Sequence, residues 1–184
     1  KQTETRTGRI SSTEPNMQNI PTRTELGREM RKFFIAKDGY TLVDADYSQI
    51  ELRILAHLSN VKRMIDAFNH NADIHAITAS EVFNVPLELV TPEMRTRAKA
   101  INFGIVYGIG AFSLSQDIGV TVAQASHYIN DYLTTYNGVD QFMKHTVESS
   151  KQTGYATTMF GRRRILDELR SHNKNIRNFG ERAA

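Results

Sequence analysis

Arg95, Lys99, Phe103 and Tyr107 recur at every fourth position of the sequence. On an α-helix each four-residue step turns about 40° further round the axis, so these residues spread over an arc of roughly 120° that also takes in Asn102 and Val106. Met94, Ala98, Ile101 and Ile105 fall on a separate arc and read as the core-facing stripe. Two cations in successive turns can hold the oxygens of a polyphosphate, and the rings that follow can pack on a sugar or a base. The face therefore suits a nucleoside triphosphate. A surface helix with a cationic stripe and two rings buried at its end would carry the same residues, and the helix alone favours that plainer reading.

A second element shifts the balance. Tyr40 to Tyr47 is short and mostly apolar or aromatic, and its alternation predicts a strand with Leu42, Asp44 and Asp46 on one face. Asp46 would then stand at the strand's carboxyl end. Ser48 follows, three residues before Glu51, in the spacing of a capping box that opens a helix with Ile50, Ile54, Leu55 and Leu58 as its apolar stripe. The chain has no cysteine, so any metal must be held by oxygen or imidazole.

The run Asp46-Tyr47-Ser48-Gln49-Ile50-Glu51-Leu52-Arg53, followed by Arg95-x-x-x-Lys99-x-x-x-Phe103-Gly104-x-x-Tyr107-Gly108, resembles motifs A and B of the family A DNA polymerases. Upstream, Thr7-Gly8-Arg9-Ile10-Ser11-Ser12 and Pro15-Asn16-Met17-Gln18-Asn19-Ile20-Pro21 are similar to that family's primer-template segment. Asp73-Ile74-His75 resembles a further family motif. The resemblance runs in order from about Thr7 to Ala184.

That resemblance implies template-directed DNA synthesis: attack of a primer 3′-hydroxyl on a deoxynucleoside triphosphate, with release of pyrophosphate. It implies two Mg²⁺ ions in the intact enzyme, with Asp46 and the main-chain carbonyl of Tyr47 as ligands. Asp46, Arg95 and Lys99 are the catalytic candidates. His75, Arg95, Lys99, Phe103, Tyr107, Glu51 and Gln49 are the expected nucleotide-binding residues, with Glu51 as the gate against a ribose 2′-hydroxyl. Phe103, where some relatives carry tyrosine, suggests discrimination against dideoxynucleotides. Arg9, Asn16, Gln18 and Asn19 would line the primer terminus, and Arg162 and Arg163 would meet the template backbone. For the asparagines a loop held by side-chain hydrogen bonds explains the same residues. His57, His70, His127, His145 and His172 match no motif.

These residues need a scaffold, and the pattern predicts a mostly helical α+β chain. Helices are expected near 26–34, 48–58, 62–69, 74–83, 92–107, 112–118, 122–136 and 140–153. Thr91 is placed to cap the helix that begins at Pro92, and Gly104, Gly108 and Gly110 are expected to loosen its far end. A hairpin is expected over Gly154 to Ile165, turning at Gly161, with a loop and a helix after it. Residues 8–27, rich in Gly, Ser, Thr, Asn and Pro, read as an irregular segment. In the terms of the resemblance, residues 1–66 form a partial palm and 67–184 the helical fingers of a right-hand-type polymerase. The expected fragment stops before the family's second catalytic carboxylate motif, so the isolated chain should polymerise little or not at all.

With 184 residues, the chain has room for one sizeable core or two small lobes. No apolar run approaches the roughly 20 residues of a membrane span, and Lys1 to Arg9 is too polar for a signal peptide. A net charge of +3 is modest, but from residue 151 onward eight Lys and Arg face three carboxylates, a candidate phosphate-backbone contact. The partners implied are primer-template DNA and deoxynucleoside triphosphates, for a monomer of the bacterial cytoplasm associated with the nucleoid. A non-catalytic nucleic-acid-binding module and a single-subunit RNA polymerase are the alternatives. Glu51 and the Asn102-Phe103-Gly104 run favour deoxynucleotides.

Overall fold

The computed structural model describes residues 1, 5, 7–21 and 24–184, so positions 22–23 of the irregular segment lie outside the described residues. The chain forms two compact units, Lys1–Tyr47 and Ser48–Ala184. The division falls before the helix at Ile50, which packs on three helices of the second unit and buries Leu52 there.

In the first unit, α1 (Glu25–Met30) starts at Thr24, whose hydroxyl accepts from the Gly27 amide, and runs into a 3₁₀ turn at Arg31–Phe33. A Cβ on Gly27 would come within 2.6 Å of Pro21, so only glycine lets the helix lie this close to that loop. The strand expected over 40–47 does not form. Its residues run without a paired neighbour, and Tyr40, Leu42, Val43 and Tyr47 are exposed. Alternation marks a face but supplies no partner strand, and among the described residues none lies alongside this segment as one; the Tyr40 amide donates instead to the Lys37 carbonyl at 2.9 Å, closing a turn.

The second unit holds eight helices among its described residues: α2 (Ile50–Ser59), α3 (Lys62–Asn69), α4 (Ile74–Val82), α5 (Pro92–Val106), α6 (Ala111–Ile118), α7 (Val122–Thr135), α8 (Asn137–Thr153) and α9 (Lys174–Ala183). Its core is made by Leu52, Met64, Ile74, Ile101, Leu114, Tyr132 and Val139, all essentially inaccessible to water. None of these helices is long and apolar enough to cross a membrane.

The α2 expectation needs two corrections. Its buried face is Leu52, Leu55 and Ala56, whereas Ile50, Ile54 and Leu58 are exposed. The apolar residues of this helix cover more than one side, so periodicity alone could not say which side meets α3, α5 and α8. The Ser48 capping box is absent too. Gln49 occupies the cap position with a left-handed backbone (φ 55°) and makes no side-chain cap. The Ser48 carbonyl instead accepts from Nε of Arg53 at 3.0 Å.

After α8 the chain turns into an antiparallel hairpin of β1 (Tyr155–Thr157) and β2 (Arg163–Ile165), in which Ala156 faces Arg164. The turn is tight. The Gly161 amide donates to the Thr158 carbonyl at 2.9 Å, and Gly161 takes a positive φ that a side chain would strain.

Candidate functional site

The helix α5 begins where the sequence placed it, with the Thr91 hydroxyl accepting from the Met94 amide at 3.2 Å and Pro92 in the first turn. Its far end is closed rather than loosened. Gly108 adopts a left-handed conformation, its amide donates to the Ile105 carbonyl at 2.9 Å, and the Ile109 amide donates to the Gly104 carbonyl at 2.8 Å. That pair of bonds is a Schellman motif, which satisfies carbonyls the helix end would otherwise leave open.

Ala98, Ile101 and Ile105 are buried as expected, Lys99 and Tyr107 are exposed, and Arg95 and Phe103 are partly so. The accessible face thus carries two cations and two rings in the predicted order. Asn102, expected on that same face, is wholly buried. Helix α4 lies alongside α5 and gives the amide polar partners inside the interface. The Asn102 Nδ2 donates to the Thr78 hydroxyl at 3.1 Å and to Nδ1 of His75 at 3.1 Å, while Thr78 donates to the Ile74 carbonyl at 2.9 Å.

His75 itself is 2% exposed, and its ring centroid lies 5.8 Å from that of Phe103. Burial, with the nearby Arg95 and Lys99 adding to it against the opposing charge of Asp73, lowers its pKa from 6.5 to about 4. The imidazole is therefore neutral at pH 7.

Asp73 joins the two helices. One carboxylate oxygen accepts from the amides of His75 and Ala76 at 3.0 and 3.2 Å, capping α4, and the other accepts from Nε of Arg95. Partial burial pushes the Asp73 carboxyl up, but the Arg95 contact and the two amides outweigh it and hold the group below its ordinary value. In the sequence Asp73 stands within the Asp73-Ile74-His75 motif without a role of its own, and Thr78 stands in no motif. An aspartate directly before an apolar helix start was the available signal for the first. Nothing in the sequence distinguished Thr78 from its neighbours.

The other expected site residues are spread along the chain. Gln49 and Glu51 lie at the start of α2, both partly buried. Arg162 and Arg163 are exposed on the hairpin, with the Arg163 guanidinium 4.9 Å from the Tyr155 ring centroid. In the first unit, Asn16 accepts from the Gln18 amide at 3.1 Å, and Gln18 accepts from the Ser12 amide at 3.3 Å and donates to the Ile10 carbonyl at 3.0 Å. These two side chains hold their loop together, which is the plainer of the two readings. Arg9 and Asn19 are exposed in that segment.

Asp44, Asp46 and Tyr47 are exposed at the end of the first unit. Among the described residues no three His, Asp or Glu side chains gather as a metal site would require. One carboxylate with one carbonyl is a poor cage for two Mg²⁺ ions, so these residues alone do not fit the pair.

The sequence model of DNA polymerase family A matches residues 1–184. DNA polymerase I of Caldicellulosiruptor bescii is 48% identical over 183 residues, covering 100% of this chain and 22% of its own length. The Bacillus subtilis DNA polymerase I is 50% identical over 181 residues, covering 98% of this chain and 21% of its own. Among solved structures, the POL domain of Pol1 from M. smegmatis, in complex with DNA primer-template and dNTP, is similar with a TM-score of 0.89 at 44% identity, over 99% of this chain and 32% of that one. The chain spans about a fifth of the length of the curated relatives it matches.

Proposed function

This chain belongs to DNA polymerase family A, and on that premise we propose that it carries the nucleotide-gripping face of an enzyme that extends a DNA primer along a template. The face of α5 supports this reading most. Arg95 and Lys99 hold the phosphates of the incoming deoxynucleoside triphosphate, and Phe103 and Tyr107 pack on its sugar and base. In the intact protein the primer 3′-hydroxyl attacks the α-phosphate and pyrophosphate leaves. Glu51 fills the space beside C2′ of the sugar and so selects against ribose. Residues 1–66 correspond to part of the palm and 67–184 to the fingers.

Primer-template DNA is the partner, met by Arg9 and Asn19 of the first unit and by Arg162 and Arg163 of the second. Asn16 and Gln18 act through the loop they brace. In the intact protein Asp46 and the Tyr47 carbonyl would be two of the oxygen ligands to divalent ions, Mg²⁺ in this reading, which would supply charge stabilisation to phosphoryl transfer. The chain spans about a fifth of the length of its curated relatives, and in this reading polymerisation is carried out by the intact protein, a soluble bacterial monomer.

The test on this chain is a titration with a fluorescent deoxynucleoside triphosphate. Wild type should bind, and Lys99→Ala should weaken binding about tenfold or more, the loss expected for one charge-assisted hydrogen bond. Equal binding by both proteins, or none by either, overturns the reading. In the intact protein, single-nucleotide extension of a primed template separates the alternatives. Ribonucleotides added as fast as deoxynucleotides would mark an RNA polymerase, and nucleic-acid binding without any triphosphate binding would mark a non-catalytic module.

A further inference from the structure

The interface of α4 and α5 buries a chain of polar groups that the phosphate grip does not itself require. It runs from the Ile74 carbonyl through the Thr78 hydroxyl and the Asn102 amide to Nδ1 of His75. Thr78 and Asn102 are wholly inaccessible and His75 nearly so, in a region where an unmatched polar atom is costly.

The Thr78 hydroxyl donates to the Ile74 carbonyl at 2.9 Å, and its oxygen lies 3.1 Å from Nδ2 and 3.2 Å from Oδ1 of Asn102, so it can meet either end of the amide. The placement of the amide sets the directions: Nδ2 can only donate, and one of its protons faces the Thr78 oxygen. The second Nδ2 proton points at Nδ1 of His75, also at 3.1 Å. A nitrogen that receives a proton cannot carry one, which puts the ring hydrogen of a neutral imidazole on Nε2. Nε2 has no acceptor of its own among the described residues.

We propose that Asn102 is a positioning residue that fixes His75 as a neutral ring with its proton on Nε2, so that the nucleotide face gains a directed hydrogen-bond donor rather than a third cation. The donor half of this statement rests on the proposed triphosphate site, whereas the tautomer half rests on the bond pattern alone. Arg95 and Lys99 on α5 and Asp73 at the start of α4 are the charged groups around the ring. A protonated imidazole there would compete with Arg95 for Asp73 and would repel both cations. It would also oppose the Nδ2 proton of Asn102 with a proton of its own. A neutral donor keeps the two-cation grip intact and adds direction.

The experiment is a two-bond ¹H–¹⁵N correlation spectrum of the chain carrying ¹⁵N-histidine, with His75→Gln identifying the signal. Wild-type His75 should show a bare Nδ1 and a protonated Nε2 at pH 8 and still at pH 5, below the ordinary histidine value near 6.5. Asn102→Asp replaces the donor with an acceptor, so the proton should move to Nδ1 and the ring should titrate at least two pH units higher. A wild-type ring protonated on Nδ1, or titrating near 6.5, overturns the proposal, and this holds even if the buried substitution prevents folding. A folded Asn102→Asp protein with an unchanged ring overturns it as well. Adding a deoxynucleoside triphosphate should then shift the Nε2 signal. A correct tautomer that does not respond, in a chain shown to bind the nucleotide, overturns the donor role and leaves the nucleotide site standing. No nucleotide binding at all overturns the donor role together with the proposed function, while the lock on the ring stands.

Discussion

Asp73 and Arg95 are 22 positions apart in sequence, and the carboxylate of the first accepts from Nε of the second while still capping its own helix. One side chain therefore sets both the start of α4 and the rotamer of the first cation on the α5 face.

Replacing Asp73 separates these two roles. Asp73→Asn keeps a capping oxygen and loses only a half-exposed ion pair, which costs at most about 1 kcal/mol. Asp73→Ala loses the cap as well, for a total of roughly 1–3 kcal/mol. Urea unfolding of the three proteins measures both. Equal losses in the two variants would show that the cap contributes nothing.

The depressed pKa of His75 gives stability a pH dependence of known sign. The unfolded chain takes up a proton at about 6.5 and the folded chain not until about 4. Stability is therefore full above 6.5 and falls as pH drops toward 4, by no more than about 1.4 kcal/mol per pH unit for this one group. Asp73, held below its ordinary 3.8, begins to lose its contribution only at lower pH, so the windows are distinct. Unfolding midpoints at pH 7 and pH 5 should differ in wild type and differ less in His75→Gln.

Two leucines on α2 test which face is buried. Leu52→Ala should cost about 2–5 kcal/mol because it opens a cavity in the core, whereas Leu58→Ala should cost less than about 1. Calorimetric melting of each variant decides: a larger loss in Leu58→Ala would place the core on the other side of the helix, and equal losses would show that α2 is not buried on one face.

The hairpin tip offers a direct reading of DNA contact. Phe160 is 99% exposed in the turn beside Arg162 and Arg163. The chain has no tryptophan, so Phe160→Trp introduces a single emitter there. Its fluorescence should change on adding primer-template DNA. The change should be weakened by Arg162→Ala and Arg163→Ala and by raising salt, because phosphate contacts release counterions. An emission unaltered at DNA saturation would remove this hairpin from the interface.

By itself the sequence determined the helices, the Thr91 cap, the hairpin turn at Gly161 and the order of Arg95, Lys99, Phe103 and Tyr107 along one helix. These depend on local periodicity and turn chemistry, which a few neighbouring residues specify. Tertiary structure decided which side of α2 is buried, that residues 40–47 form no strand, that Asn102 turns inward, and that Asp73 reaches Arg95. Each of these depends on what lies opposite. An apolar stripe, a strand edge or a buried amide is defined only by the partner that covers it, and that partner is chosen by packing across many intervening residues.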